Sequence, residues 1–188
     1  MNTQYKLRRA DISDIDTLST LCQRTYRETF VEDFAIPYPD DCLRSFYQQT
    51  ASPEYFTKKI SDSQEAAVWL IEEEQTRELV AYAVVSTCHS DDIPHPDVQT
   101  NKDGMVNRLY VQRQYQKHGL GQQLMNVILS WFEEHHPNQP IWLTVFSENH
   151  KAQKFYARYG FTKVGEFDFY VGQWIDREFI MKRQVQII

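Results

Sequence analysis

At 188 residues and 22.4 kDa, with 41% hydrophobic and 14% aromatic side chains, the chain is long enough to bury one sizeable core. A formal net charge of −6 excludes nucleic acid as the main partner, which calls for a basic face. No apolar run approaches the ~18 residues of a membrane span, the first residues lack a signal-type apolar core, and Cys22, Cys42 and Cys88 are far apart without metal-ligand spacing, so we expect reduced thiols in a cytoplasmic protein.

Residues 5–9 predict a short edge-like strand, ended by Ala10 and Asp11. Ser13 followed by Asp16 has the look of a capping box, and Ile15, Leu18, Leu21, Cys22 and Tyr26 then mark a helix to about Phe30. Pro37 and Pro39 break the chain before helical regions over 40–49 and, with Pro53 in the first turn, 53–60. Residues 66–72 and 78–88 read as the two strands of a hairpin, with the acidic stretch Glu72-Glu73-Glu74-Gln75 as a solvated turn. Residues 89–103 form a polar, proline-bearing loop. Its His89, Asp91, Asp92, His95 and Asp97 match no standard ligand spacing, so no metal site is expected.

The next stretch concentrates the chemistry. Residues 104–111 are β-prone, Gln112 to Lys117 are polar, Gly119 and Gly121 follow, and Leu120, Leu124, Val127, Ile128, Trp131 and Phe132 then recur at helical spacing. A strand, a glycine-bearing turn and a helix present unpaired backbone N–H groups and a positive dipole end to an anion. Arg113, Lys117 and His118 just before that helix are unfavourable for it unless an anion offsets them. The pattern lacks G-x-x-x-x-G-K-[ST], and position 124 is Leu where a dinucleotide fingerprint wants Gly or Ala. Beyond it, 141–146 reads as a buried strand, Asn149 opens a helix whose Ala152, Phe155, Tyr156 and Tyr159 face the core, and Gly160 caps its end. Residues 161–165 and 177–183 close the sheet as strands, with 167–175 partly extended between them. Alternating strands and helices give an α/β layer with a mixed sheet, in one domain over residues 1–188.

Two spaced motifs carry a resemblance. Gln116-Lys117-His118-Gly119-Leu120-Gly121 matches Q/R-x-x-G-x-G/A, and Asn149 to Phe161 matches N-x-x-A-x-x-F/Y-Y-x-x-x-G-F in the same order. In both the chain resembles the GNAT superfamily of acetyl-CoA-dependent N-acetyltransferases. The resemblance implies a mixed, mostly antiparallel sheet of about six to seven strands flanked by helices. It places the pantetheine arm of acetyl-CoA along Leu109, Tyr110 and Val111, and the pyrophosphate on Gln116, Lys117, His118, Gly119, Leu120 and Gly121. Asn149 and Lys151 reach the same cofactor, and no metal is involved.

It further implies direct transfer to an amine, with Tyr156 protonating the leaving thiolate; a phenol of pKa ~10 stays protonated at pH 7 and suits that part. Read without the motif, Tyr156 is also a core aromatic, Asn149 an N-cap and the glycines turn residues. Family members often carry a Glu on the central strand near Met105 or Asn107, and neither is acidic here. A water chain or an acid on another element is then needed; Glu28 is the candidate, or else a plain surface residue. Residues 27–34, 115–125, 141–146 and 161–183 resemble bacterial polyamine N-acetyltransferases, which suggests a small-molecule amine such as spermidine, bound by Glu28, Glu32 and Asp33. Tyr170 and Trp174 then line either the amine pocket or a homodimer face. A protein N-terminus or lysine, another small amine, or acyl-CoA sensing without turnover are the alternatives.

Overall fold

The computed structural model describes residues 4–62, 64–89 and 92–184. Its centre is a seven-stranded sheet, β1 (Tyr5–Arg9), β2 (Ala66–Glu73), β3 (Leu79–Thr87), β4 (Gly104–Val111), β5 (Ile141–Phe146), β6 (Phe161–Val171) and β7 (Trp174–Arg183), ordered β1-β2-β3-β4-β5-β7-β6. Every neighbouring pair is antiparallel except β4 and β5. This is the mixed, mostly antiparallel α/β sheet the sequence implies. β2 and β3 are apolar at nearly every position because helices cover both faces of the sheet. On one side α4 (Leu120–His135) and α5 (His150–Ala157) bury Leu124, Met125, Ile128 and Phe132 against Val106, Leu143 and Val145. On the other, α1 (Ile15–Tyr26), α2 (Asp40–Thr50) and α3 (Pro53–Ser61) cover Leu70, Tyr82 and Val84, and an aromatic group of Tyr26, Phe30, Tyr38 and Phe46.

The parallel pair positions the site. β4 and β5 are joined only at Gly104↔Ile141 and Met105↔Trp142, although β4 runs on to Val111 and β5 to Phe146. Past those two pairs the strands part and leave a gap in the middle of the sheet. Gly104 begins β4 where α4 lies closest: a Cβ there would stand 2.4 Å from a ring carbon of Phe132.

Four local expectations are corrected. The first cap is made by Asp11 and Asp14, not Ser13 and Asp16: Asp11 accepts from the Ser13 N–H at 2.8 Å and Asp14 from the Asp11 N–H at 2.9 Å. The helix running towards Phe30 changes at Tyr26 into a π-helical segment, Arg27–Asp33, closed by the Phe34 N–H on the Thr29 carbonyl. Glu72 and Glu73 are not in a solvated turn but in β2, both buried, with Glu72 paired to Arg8 and Arg77 and Glu73 accepting from Thr76. The last strands form one long hairpin, β6 to β7. Its turn holds Gly172 at φ +62°, with Cys42 so close that a Cβ would stand 2.7 Å from the Cys42 Cα. Of the loop proposed not to bind metal, Asp91 lies outside the described residues; Asp92 accepts from the His89 N–H, and His95 packs on Trp142.

Candidate active site

A cleft of about 670 Å³ opens where β4 leaves β5. Its lining brings together Leu109, Tyr110, Val111, Gln116, Lys117, Gly119, Leu120, Gly121, Asn149, Lys151 and Tyr156, eleven residues from four separate elements. Leu109, Tyr110 and Val111 pair with β3 on one side only, through Ala83, Tyr82 and Ala81. Their other edge offers free backbone donors and acceptors to the cleft, which suits an extended, amide-bearing guest.

The loop after β4 is built to expose amides. Gln112 buries its side chain and donates to the Leu79 carbonyl at 2.8 Å, which fixes the chain as it leaves the strand. Lys117 and Gly119 both take left-handed backbone, at φ +69° and +76°. Gly119 is the N-cap of α4, no side chain caps that helix, and no acidic residue lies in its first turn. A Cβ at Gly119 would meet nothing within 4 Å, so the glycine is required by its dihedral rather than by crowding. Uncapped amides at a dipole's positive end, with Lys117, Lys151 and Arg158 in the same lining, make a cradle for phosphate.

The second motif closes the other wall. Asn149 Oδ1 accepts from the Ala152 N–H at 3.0 Å and so caps α5. Lys151 Nζ donates to Gln116 Oε1 at 2.5 Å, tying α5 to the loop, while Gln116 Nε2 donates to the Val111 carbonyl at 3.2 Å. Phe155 packs beside Gly121, and Tyr156 sits edge-on to Phe161 with ring centroids 5.9 Å apart. Burial raises the Tyr156 phenol above its ordinary value, and the nearby negative charge of Glu178 adds to that. Tyr110 is raised for the same first reason.

Two proposed site residues stand apart from the lining. Glu28 Oε1 accepts from Arg24 Nε at 3.3 Å and Oε2 from the Arg113 N–H at 2.9 Å, so its carboxylate is occupied in holding the turn after β4. His118 points its Nδ1 at the Tyr115 carbonyl, 3.2 Å away, and lies beside Tyr5. Nor do Glu32 and Asp33 form a free acidic pocket, because Arg113 pairs with both at 3.1 and 2.8 Å. Trp174 joins the aromatic group by packing edge-on to Tyr38, and Tyr170 is exposed.

The cleft also takes in Thr29, Asp33, Phe34, Tyr115 and Phe155, of which the sequence assigned only Asp33, to the acceptor pocket. The first three are delivered by the π-helical segment, whose wider turn no residue pattern announces.

Comparison with known proteins follows this geometry. The model of the acetyltransferase (GNAT) family matches residues 24–161. Over 73 residues the chain is 33% identical to a probable spermine N(1)-acetyltransferase of Bacillus subtilis subsp. natto, a match over 38% of this chain and 48% of that one. The chain thus spans about half the length of that relative. Over 182 residues it is 24% identical to an uncharacterized N-acetyltransferase in the pepI 3' region of Lactobacillus delbrueckii subsp. lactis, covering 96% and 98%. The PaiA N-acetyltransferase of Thermoplasma acidophilum, solved in complex with coenzyme A, shares the fold with a TM-score of 0.71 at 18% identity over 97% and 99% of the two chains.

Proposed function

The chain belongs to the GNAT acetyltransferase family, whose members use acetyl-CoA, and from that premise we propose that it transfers the acetyl group directly to a primary amine, with polyamines such as spermidine as the leading acceptors. The observation that carries this reading is the splay of β4 from β5 with both motifs facing one cleft. Leu109, Tyr110 and Val111 hold the pantetheine arm through their free strand edge. Gln116, Lys117, Gly119, Leu120 and Gly121 hold the pyrophosphate, with His118 shaping the turn and Lys151 adding charge. Asn149 serves both as cap and as a contact to the cofactor.

Bound acetyl-CoA supplies a thioester whose carbonyl takes the amine and whose sulfur leaves. Tyr156 keeps its proton well above pH 7, because burial opposes the phenolate, and gives it to that sulfur. The N–H groups of the loop and of β4 keep the donor in line, so that approach of the amine is the remaining variable. We assign Glu28 to anchoring Arg113 rather than to proton transfer, since both of its oxygens are taken.

The polyamine assignment is supported by the partial likeness to the Bacillus relative and by the aromatic rings of Phe34 and Tyr110 in the cleft lining, against which methylene chains would pack. The protein acts in the cytoplasm as one domain over residues 1–188, and Tyr170 and Ile175, exposed on the β6–β7 hairpin, are the candidate homodimer face. A thiol-release assay with acetyl-CoA over spermidine, spermine, diamines, aminoglycosides and peptides tests the reading. Turnover greatest with spermidine or spermine supports it. Turnover with peptides alone moves the acceptor to a protein N-terminus or lysine. Tight coenzyme A binding with no turnover on any amine makes the protein a sensor.

A further inference from the structure

β4 carries no carboxylate at Met105 or Asn107, and Glu28 and Asp33 are held by arginine or backbone partners. The acceptor of a polyamine reaction enters as an ammonium of pKa ~10.4, so only about one amine group in 2,500 is neutral at pH 7. A base near the gap is therefore wanted, and β7 holds one. Along β7, Asp176, Glu178 and Ile180 alternate onto the face away from α4, where Ile180 packs with Met105 and Trp142. Asp176 is satisfied: it accepts from Trp174 Nε1 at 2.9 Å and from the Tyr38 hydroxyl. Glu178 is 8% exposed, yet its Oε2 is buried with no hydrogen-bond partner. A buried, unpartnered carboxylate oxygen is unfavourable and calls for an explanation, a catalytic role being one.

Its position matches that need. Glu178 lies opposite Phe146 on β5, beyond the last residues that join β5 to β4. Tyr156 comes from the helix side of the sheet and Glu178 from the other. The negative charge of Glu178 adds to burial in raising both the Tyr156 and the Tyr110 phenol. We propose that Glu178 is a catalytic residue, the general base that takes a proton from the acceptor ammonium in the gap between β4 and β5, an inference that rests on the amine-transfer reading above.

An N–H bond of the ammonium breaks, its proton goes to Glu178 Oε2, and the electron pair stays on nitrogen. That pair forms the C–N bond to the acetyl carbon as the C–S bond breaks. The sulfur leaves with its electrons and takes the Tyr156 proton. The second proton shed by nitrogen restores Tyr156, and Glu178 returns its proton to water. Burial first, then the charge of Asp176, pushes Glu178 up to about 7, against Thr144 of β5 and Arg108 of β4, which favour the charged form. Tyr110, Tyr156 and Tyr38 face it protonated, and its partner on β6 is the apolar Phe167.

Glu178→Gln tests the assignment with acetyl-CoA and two acceptors, spermidine and a weakly basic hydrazide that is already neutral at pH 7. For spermidine kcat/KM should fall by about 100-fold or more, with coenzyme A affinity unchanged. The hydrazide should lose little. An equal loss with both acceptors, or a wild-type rate on spermidine, overturns the assignment. The wild-type pH profile is independent of the variant's folding: log kcat/KM for spermidine should rise to a plateau just above pH 7. A rise that continues towards pH ~10 means the amine loses its proton without Glu178. Should the wild type turn over no amine while binding coenzyme A, the transfer reading itself fails, and the base assignment with it. A calorimetric readout moves apart from turnover: the Gln variant should melt higher than wild type at pH 8, and a lower melting point there contradicts a carboxylate left without a partner.

Discussion

Tyr156 and Glu178 are raised by the same physics and put it to opposite use. Burial opposes the charged form of each, so the phenol becomes a more reluctant acid and the carboxyl a stronger base. Tyr156→Phe should lower kcat by at least about 100-fold while acetyl-CoA affinity, read by calorimetry, stays the same; an unchanged rate makes Tyr156 a packing residue. Glu178 also leaves a trace in stability. Its folded value near 7 lies above the ordinary 4.5, so between those pH values the native state binds the extra proton. Its contribution is therefore present below pH 4.5 and is lost as pH rises through 7. Thermal melts of wild type should lose stability over that window by at most ~3 kcal/mol, and Glu178→Gln should not. Asp14 runs the other way: the Arg8 hydrogen bond lowers it, so its contribution is present above pH 3.8 and disappears in acid.

Among the elements, α5 is where a cap and the proposed cofactor contact fall on one residue. Asn149 caps the helix and lines the cleft. Asn149→Ala should cost about 1 kcal/mol of stability. Asn149→Ser, which still caps, should restore the melting temperature while leaving coenzyme A affinity weakened. If Ser restores both, Asn149 is only a cap. The β6–β7 turn has no such second duty. With Gly172 at φ +62° and the Cys42 backbone against it, Gly172→Ala meets both a strained dihedral and a clash. We expect a loss of ~2 kcal/mol or more in chemical denaturation, with the docking of the hairpin on α2 affected first. The π-helical segment is the element that widens the first helix so that Thr29, Asp33 and Phe34 reach the cleft.

For the whole molecule the decisive feature is one parallel pair in an otherwise antiparallel sheet. The β4–α4–β5 crossover brings two strands together for two residues and then lets them diverge, which opens the cleft inside the sheet and not on its surface. If, as proposed, the donor is held by loop, strand edge and α5 at once, coenzyme A at about 100 times its dissociation constant should stabilise the fold by ~2.7 kcal/mol, seen as a rise in melting temperature. No such rise would remove the cleft as its binding site.

The elements of the second half were legible in the sequence because each announces itself locally: β-prone apolar runs for β4 and β5, helical spacing for α4, Asn149 and Gly160 at the ends of the second motif. The same local chemistry pointed to phosphate at Gly119 and, through the two motifs, to acetyl-CoA. Long-range pairing was not legible. Glu72 and Glu73 look like a solvated turn until Arg8, Arg77 and Thr76 are set beside them, and Glu28 looks free until Arg113 arrives from 85 residues away. Glu178 is an ordinary charged residue within Arg-Glu-Phe in the chain. Burial, the missing hydrogen bond and the gap between β4 and β5 exist only once seven strands are assembled, and they alone make it a base.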